Sequence, residues 1–198
     1  MRPPSEAIVP AASFLHHASR EIYRDTPLYF GREIQHRYDD PAGAYGVLYL
    51  AYSLSTALME SAFHKHRWWR AGARRKITVS EVRSRMVRII QVSSQLTLCD
   101  LVTEGAAVQA FGLNATQLVT RRYASTRALS ARIAKLTAPS GDPFDGILYP
   151  SRNNPGAHCI ALFERASAKM QVHEDIRLDY HRNWPAFVAD FAVTVLPR

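Results

Sequence analysis

The sequence predicts one α+β domain in which mixed, largely antiparallel sheets are flanked by helices. The chain has 198 residues, a length that favours a single domain. Strand-like apolar runs are interspersed with helical segments, but they lack the regular β-α-β order that builds a doubly wound parallel sheet. Hydrophobic residues make up 47% of the chain and charged residues 21%, which is the composition of an ordinary globular protein.

The first 22 residues are expected to form an N-terminal extension, partly disordered or draped over the surface. Residues 1–12 are rich in proline, which favours a frayed terminus, and a short helix is predicted for Ala12 to Tyr23. The main domain is therefore assigned to residues 23–198.

A buried strand followed directly by a helix is predicted between residues 46 and 66. Gly46 to Tyr52 is apolar and β-prone. In the following SLSTALMESAFHKH, either Ser53 or Ser55 can cap a helix whose apolar residues recur at helical spacing. Glu60 lies well off this apolar stripe, so it is free to face a cleft or solvent.

The remaining elements follow in a simple order. RMVRIIQVS and LTLCDLV are strand-like and predict a hairpin, YASTRALSARIAKL predicts an amphipathic helix, and GILYP, HCIALF and KMQVHEDIRLDY predict further strands. WPAFVADFAVTVL predicts a short helix or strand at the end of the chain.

Charge and targeting features narrow the class of protein. Lys and Arg number 25 against 17 Asp and Glu, a net charge of +8 that favours an anionic partner or substrate. The N-terminal sequence does not resemble a signal peptide, and no apolar run is long enough to span a membrane. Cys99 and Cys159 lie in apolar surroundings, which predicts buried free thiols and a cytoplasmic protein without a membrane partner.

Several common catalytic motifs are absent from the sequence. It contains no zincin, α/β-hydrolase or P-loop signature, and no two of its nine glycines have the G-x-G spacing of a Rossmann fingerprint. His16-His17 and His64-x-His66 have no Cys or acidic partner at metal-ligand spacing, so no metal is expected.

The segment from His64 to Lys76 is the strongest nucleic-acid signal, because Arg67, Arg70 and Arg74 flank two tryptophans. The same composition is typical of a solvated face or of a protein interface, and no known nucleic-acid-binding signature accompanies it. Direct nucleic-acid binding is therefore not expected.

Four short motifs occur in a characteristic order: RYDDPAGAYGVLYLA at 37–51, Ala57-x-x-Glu60, DGILYPSR at 145–152 and IALF at 160–163. Together they resemble the RES domain, a family named for its Arg, Glu and Ser, over roughly Tyr23 to Phe163. The resemblance implies an NAD-binding catalytic domain at 23–198, with a fold similar to the ADP-ribosyltransferase and diphtheria-toxin catalytic core. Residues 67–83 are longer and more basic than in a minimal RES domain.

The resemblance also implies a biological role. RES proteins are toxins of bacterial toxin–antitoxin pairs, so a cognate Xre-type antitoxin is the expected partner, and a homodimer within that complex is compatible with it. The family degrades NAD by hydrolysis or phosphorolysis, with NAD as substrate and no metal. Some members are described as ADP-ribosyltransferases, so transfer of ADP-ribose to a protein stays open as an alternative. A basic nucleic-acid-binding module is the alternative from another class.

The family motif assigns the catalytic residues to Arg37, Tyr49, Glu60 and Ser151, with Tyr38 beside the arginine. Arg37 is expected to bind the diphosphate or the nicotinamide ribose. Glu60 is expected to stabilise the positive charge that develops on the ribose. Tyr38 and Tyr49 offer ring faces for nicotinamide, while Ser151 bonds to the carboxamide or steadies Glu60.

Overall fold

A curled eight-stranded sheet organises the computed structural model, which describes residues 2–64 and 75–197. The strands of these ranges are β1 (Glu6–Val9), β2 (Phe14–Arg20), β3 (Val47–Ala51), β4 (Arg75–Thr78), β5 (Arg85–Val92), β6 (Leu96–Asp100), β7 (Gly146–Pro150), β8 (His158–Phe163), β9 (Met170–Arg177) and β10 (Val193–Leu196). The α-helices are α1 (Leu54–Glu60), α2 (Val79–Arg83), α3 (Ala106–Phe111), α4 (Ala115–Leu118), α5 (Ala124–Ile133) and α6 (Trp184–Asp190).

The strand order confirms the predicted α+β class with a mostly antiparallel sheet. The large sheet runs β1-β6-β7-β8-β3-β2-β5-β9, and β4 pairs with β10 in a separate parallel ribbon. Within the large sheet only β6 and β7 pair in parallel, whereas every other neighbouring pair is antiparallel.

The large sheet curls so that its two ends approach each other. Only residues 10–13 connect β1 to β2, although five steps of the strand order separate these strands. At this seam the Ala12 N–H donates to the Val92 carbonyl at the end of β5. Leu96 of β6 and Ile90 of β5, from opposite ends of the order, share one buried apolar cluster. The sheet therefore closes partly on itself, as curled sheets do to protect their edges.

The predicted hairpin of β5 with β6 is wrong. These strands are adjacent in sequence, but they lie on opposite sides of the seam. Strand β5 pairs with β2 and β9, and strand β6 pairs with β1 and β7. Since each strand already has a neighbour on both sides, residues 93–95 cross the seam without forming a ladder.

The expected N-terminal extension is also corrected. Both β1 and β2 belong to the large sheet, and β2 pairs with β5 over seven residues from Phe14 to Arg20. The helix predicted for 12–23 is reduced to a 3-10 turn at Glu21–Tyr23. Long-range ladder hydrogen bonds and burial of Leu15, which is fully inaccessible, outweigh the weak local helical preference.

Most other elements follow the predicted order. The strand before α1, the amphipathic helix α5 and the strands β7, β8 and β9 are confirmed, and the C-terminal segment forms both a helix and a strand. Ser53 caps α1, because its Oγ accepts from the Thr56 N–H at 3.2 Å. Cys99 and Cys159 are both buried and free, as expected.

The two faces of the sheet carry different cores. Inside the curl, alternate residues such as Leu48, Leu50 and Ile160 pack together. On the outer face, α5 and the 37–38 segment cover one cluster, to which Tyr149 belongs. A second outer cluster packs α1 and α6 against Ala51 at the end of β3.

Gly146→Ala is expected to destabilise the fold, because the new methyl group meets backbone on the neighbouring strand. An ideal Cβ at Gly146 lies 2.5 Å from the Ala161 carbonyl oxygen and 2.9 Å from Leu162 Cα. Overpacking of this kind costs about 1–3 kcal/mol. Urea unfolding should show a lower midpoint with an unchanged slope. Gly112→Ala is the control, since its site is open and only its left-handed φ of 71° resists alanine; wild-type stability of Gly146→Ala would contradict the packing.

Candidate active site

The site forms where two strands end at the same edge of the sheet. Strands β3 and β7 are both antiparallel to β8, which lies between them, so they run in the same direction. Their carboxyl ends therefore emerge side by side. Strand β3 leads into α1, which carries Glu60, and β7 leads into the loop of residues 151–157. This topology brings together residues that are 91 positions apart in the chain.

One oxygen of Glu60 accepts three hydrogen bonds from this loop. The Ser151 hydroxyl donates to Oε1 at 2.6 Å, and the backbone N–H groups of Arg152 and Asn153 donate at 2.8 and 2.9 Å. Successive N–H groups in a turn form a natural anion-binding nest. The carboxylate is thus held in one place, and it is partly accessible.

A second set of hydrogen bonds ties the loop to α1. The Ser151 hydroxyl accepts from the Asn154 N–H at 3.0 Å, and the Asn154 side-chain amide donates to Thr56 Oγ1 at 2.9 Å. Thr56 Oγ1 in turn lies 3.0 Å from Oγ of Ser53, the cap of α1. Ser151 therefore fixes both Glu60 and the turn of its own loop, which is the steadying role that the sequence assigned to it as one of two possibilities.

Arg37 lies on the outer face of the sheet, near enough to this carboxylate for the two charges to interact. Its side chain is only 5% exposed, and its guanidinium carbon stands 5.6 Å from the centre of the Tyr149 ring. Burial acts to lower the pKa of Arg37, but Tyr149, Tyr38 and Glu60 act to raise it. The net pKa is above the ordinary value, so the buried group remains a cation.

The guanidinium of Arg37 is not fully used by the protein. Its Nε and Nη1 atoms are buried and have no hydrogen-bond partner within the geometric limits among the described residues, although the buried Tyr38 hydroxyl interacts with this guanidinium. A buried donor without an acceptor costs about 1–3 kcal/mol, and a charged one costs more. Such unsatisfied groups are rare in folded proteins, and functional sites are one place where they occur.

Tyr49 positions the segment that carries Arg37. Its hydroxyl donates to Asp39 Oδ1 and accepts from the Tyr38 N–H, both at 2.8 Å. Asp39 also accepts from the His36 N–H at 2.6 Å. Burial and the neighbouring Asp39 raise the pKa of Tyr49 well above its ordinary value. The Tyr49 hydroxyl is therefore hydrogen-bonded within the protein, while its half-buried ring still borders the site.

Tyr38 does not offer a ring face to a ligand, contrary to the sequence-based expectation. Its side chain is 0% exposed and packs against Tyr149, with 4.6 Å between the ring centres. The Ser130 hydroxyl on α5 donates to the Tyr38 carbonyl at 2.6 Å. Tyr38 is therefore part of the buried apolar cluster next to Arg37, and the ring of its neighbour Tyr149 lies under the guanidinium.

Small side chains on β8 lie between two tyrosines of the neighbouring strands. Ala161 is opposite Tyr49 on β3, and Cys159 is opposite Tyr149 on β7. Paired residues share a face, so all four point to the outer side of the sheet. Burial, and next the charge of Glu60, raise the pKa of Cys159 to about 12, so its thiol stays neutral and is not a nucleophile at neutral pH.

Sequence reasoning missed Asp39, Tyr149, Arg152 and Asn153 at this site. Tyr149 had a usable signal, because it lies two residues before Ser151 and strand alternation puts both on one face. The role of Asp39 depends on its hydrogen bond to Tyr49 on β3. The role of Arg152 and Asn153 depends on their contact with Glu60 at the end of α1. Neither contact leaves a periodic signal in the sequence.

Other candidate features lie elsewhere or outside the described ranges. The basic segment 64–76 is described only at His64, Arg75 and Lys76, so the nucleic-acid interpretation of its tryptophans lies outside the described residues. Within residues 2–64 and 75–197 no cluster of three His, Cys, Asp or Glu could hold a metal. An open groove of about 570 Å³, lined by Thr26–Phe30, Arg32 and Glu164, contains none of the site residues.

The comparisons with known proteins bear on the whole of this region. The family model described as the RES domain matches residues 14–184, which includes Arg37, Tyr49, Glu60 and the loop after β7. No curated protein matches the chain. Among the described residues, no helix has the length and apolar character needed to cross a bilayer.

Tyr49→Phe is expected to destabilise the protein by about 1–3 kcal/mol, since it leaves Asp39 Oδ1 and the Tyr38 N–H without their shared partner. Chemical denaturation of the purified variant measures this loss. Tyr52→Phe is a matched control, because the Tyr52 side chain is 46% exposed. Equal stability of the two variants would mean that the Tyr49 hydroxyl does not hold the Arg37 segment.

His17, which lies next to Tyr49, should make stability depend on pH. Burial lowers the pKa of His17 from 6.5 to about 4, against the hydrogen bond of its Nδ1 to the Tyr49 carbonyl at 2.9 Å. Below pH 6.5 the unfolded chain binds a proton that the folded chain does not bind until about pH 4. Stability therefore falls with pH across this window, by about 3 kcal/mol in total.

The His17→Asn variant isolates this contribution. Asparagine keeps a donor for the carbonyl but does not titrate, so the variant should lose less stability than wild type between pH 6.5 and 4 when unfolding is measured at several pH values. His16 and His181 also have lowered pKa values and titrate in both proteins, so the difference reports His17. Identical pH profiles would refute the assignment.

Proposed function

Since this chain belongs to the RES domain family, we propose that it cleaves the nicotinamide–ribose bond of NAD and acts as the toxin of a toxin–antitoxin pair. At the level of the family, the RES domain is associated with NAD-processing enzymes and with toxin–antitoxin systems. The proposal for this chain rests on one observation above all. A partly accessible carboxylate, Glu60, is fixed by Ser151 beside a buried and incompletely bonded arginine, Arg37.

This arrangement suits a reaction that passes through a positively charged ribose. When the bond from ribose C1′ to the nicotinamide nitrogen breaks, its electron pair goes to the pyridinium nitrogen, and nicotinamide leaves as a neutral molecule. No general acid is needed for the leaving group, so one carboxylate suffices, whereas cleavage of an O-glycoside uses two. Glu60 faces the developing positive charge and lowers its energy.

The hydrogen bonds on Glu60 prepare it for this role. Three donors fix Oε1, so the carboxylate does not reorient as charge develops. Arg37 supplies a cation for the phosphate groups of the substrate. Water completes the reaction by forming a bond from its oxygen to C1′ and releasing a proton, which yields ADP-ribose. Inorganic phosphate attacks C1′ in the same way and yields an ADP-ribose phosphate.

A cognate antitoxin of the Xre type is the proposed partner of this enzyme, in keeping with the usual context of the RES domain. An intracellular toxin that consumes NAD needs such a partner, because its substrate is present from the moment the chain folds. Co-purification of the chain with a small protein encoded beside it would test this part of the proposal.

Glu60→Gln is expected to reduce nicotinamide release from NAD by about 10²–10³-fold, the usual effect of losing one group that stabilises transition-state charge. Glutamine keeps an oxygen that can accept the three loop hydrogen bonds, so the variant removes the charge and leaves the fold. Ser151→Ala removes one bond to the carboxylate and should cost about 10–100-fold, because hydrogen bonds to charged groups contribute about 1.5–3 kcal/mol.

The assay follows nicotinamide after purified protein is mixed with NAD. Glu21→Gln is the matched control, since Glu21 is exposed and follows β2, which runs antiparallel to β3 and therefore ends at the opposite edge of the sheet. It should react like the wild type. The proposal fails if wild-type protein releases no nicotinamide, or if Glu60→Gln releases it at the wild-type rate.

A further inference from the structure

The loop after β7 presents donors that the protein itself does not use. The Arg152 side chain has two buried nitrogens, Nε and Nη1, without a hydrogen-bond partner among the described residues. The neighbouring Asn153 is only 8% exposed, and its Nδ2 also has no partner there. Buried polar groups are almost always bonded, so adjacent exceptions in one short loop call for an explanation.

Glu60 does not account for these donors. It binds the backbone N–H groups of Arg152 and Asn153, and no ion pair joins it to Arg152 or to Arg37 in the described ranges. These hydrogen bonds to the backbone instead fix the positions of the Cα atoms that carry the Arg152 and Asn153 side chains. Arg37 and Arg152 therefore lie in the region of Glu60, and both have N–H donors that this carboxylate does not bind.

We propose that Arg152 and Asn153 form an anion-binding wall that takes phosphate oxygens. This inference rests on the proposed function, since it assigns further substrate contacts to the same site. The unpartnered atoms of Arg152 and Asn153 are all N–H donors, and Arg37 has two more. A ligand rich in acceptor oxygens satisfies such a set, whereas a metal cation or a donor-rich ligand does not. Guanidinium groups bind phosphate in a forked geometry, which matches this composition.

Two sources of phosphate oxygens fit next to Glu60. One is the diphosphate of NAD, which is attached to the ribose whose C1′ reacts. The other is inorganic phosphate that acts as the acceptor and forms the new bond to C1′ as nicotinamide leaves. The first source makes Arg152 a determinant of substrate affinity. The second makes it a determinant of the acceptor, and hence of phosphorolysis over hydrolysis.

Two measurements on the full-length protein separate these sources. Calorimetric titration with ADP-ribose, and separately with inorganic phosphate, gives each affinity. Nicotinamide release from NAD is then followed at rising phosphate concentration. The variants are Arg152→Gln, and Asn153→Asp, which replaces a donor with an anion of the same shape. Arg24→Gln is the control for loss of a positive charge, because Arg24 is exposed and lies on the β5 side of the sheet near Arg88.

The expected result is a loss confined to one of the two ligands. If the wall holds the diphosphate, Arg152→Gln weakens ADP-ribose binding by about 10–100-fold, and the response to phosphate is unchanged. If it holds the acceptor, ADP-ribose binds as in wild type, but phosphate no longer accelerates nicotinamide release. Asn153→Asp should produce the same pattern, and Arg152→Lys should restore part of the loss.

Other outcomes distinguish this inference from the proposed function. The inference is overturned if Arg152→Gln and Asn153→Asp are folded by thermal unfolding yet bind both ligands and respond to phosphate like wild type. Nicotinamide release by the wild type would then still support NAD cleavage. Conversely, ADP-ribose binding that depends on Arg152, in a wild-type protein that releases no nicotinamide, would support the wall and refute the enzyme.

Discussion

The bonding of one carboxylate oxygen organises the candidate site. Oε1 of Glu60 joins the end of α1 to the loop after β7 through three donors. Without that oxygen, the loop would turn two backbone N–H groups and a hydroxyl toward an empty space at the sheet edge. The same bonds hold the carboxylate where a cationic centre can approach it. Structure and proposed chemistry thus depend on one contact.

The charged side chains around that contact are not paired with one another. Arg37 and Arg152 lie in the same region as Glu60, but neither forms an ion pair with it, and both keep buried donors that have no acceptor within residues 2–64 and 75–197. A closed ion pair would stabilise the empty protein and leave nothing for a ligand. An incomplete set costs folding energy and gains affinity when phosphate oxygens arrive, the usual relation between strain and function at a site. The net charge of +8 is consistent with an anionic substrate, and the proposed anion-binding wall assigns such a substrate to these particular nitrogens.

The curled sheet explains why the site lies on its outer face. The interior of the curl is filled by aliphatic side chains from both ends of the strand order. On the outer face, one cluster contains Tyr149, whose ring lies under Arg37, and another contains α1, which carries Glu60. The small residues Cys159 and Ala161 of β8 lie between Tyr149 and Tyr49.

By itself the sequence determined the local units of this protein: the strand-to-helix step at Ser53, the amphipathic helix α5, the strands around Ser151, and the motif that contains Arg37, Tyr49, Glu60 and Ser151. These features depend on near neighbours and on periodicity, which the order of residues records directly. Only the tertiary structure decided that β1 and β2 join the sheet, that β5 and β6 lie on opposite sides of a seam, that Tyr38 is buried, and that the loop of Arg152 and Asn153 binds the carboxylate. Each of these depends on pairing between segments far apart in the chain, where hydrogen bonds and burial gained across the fold outweigh local preference, and no local pattern records such partners.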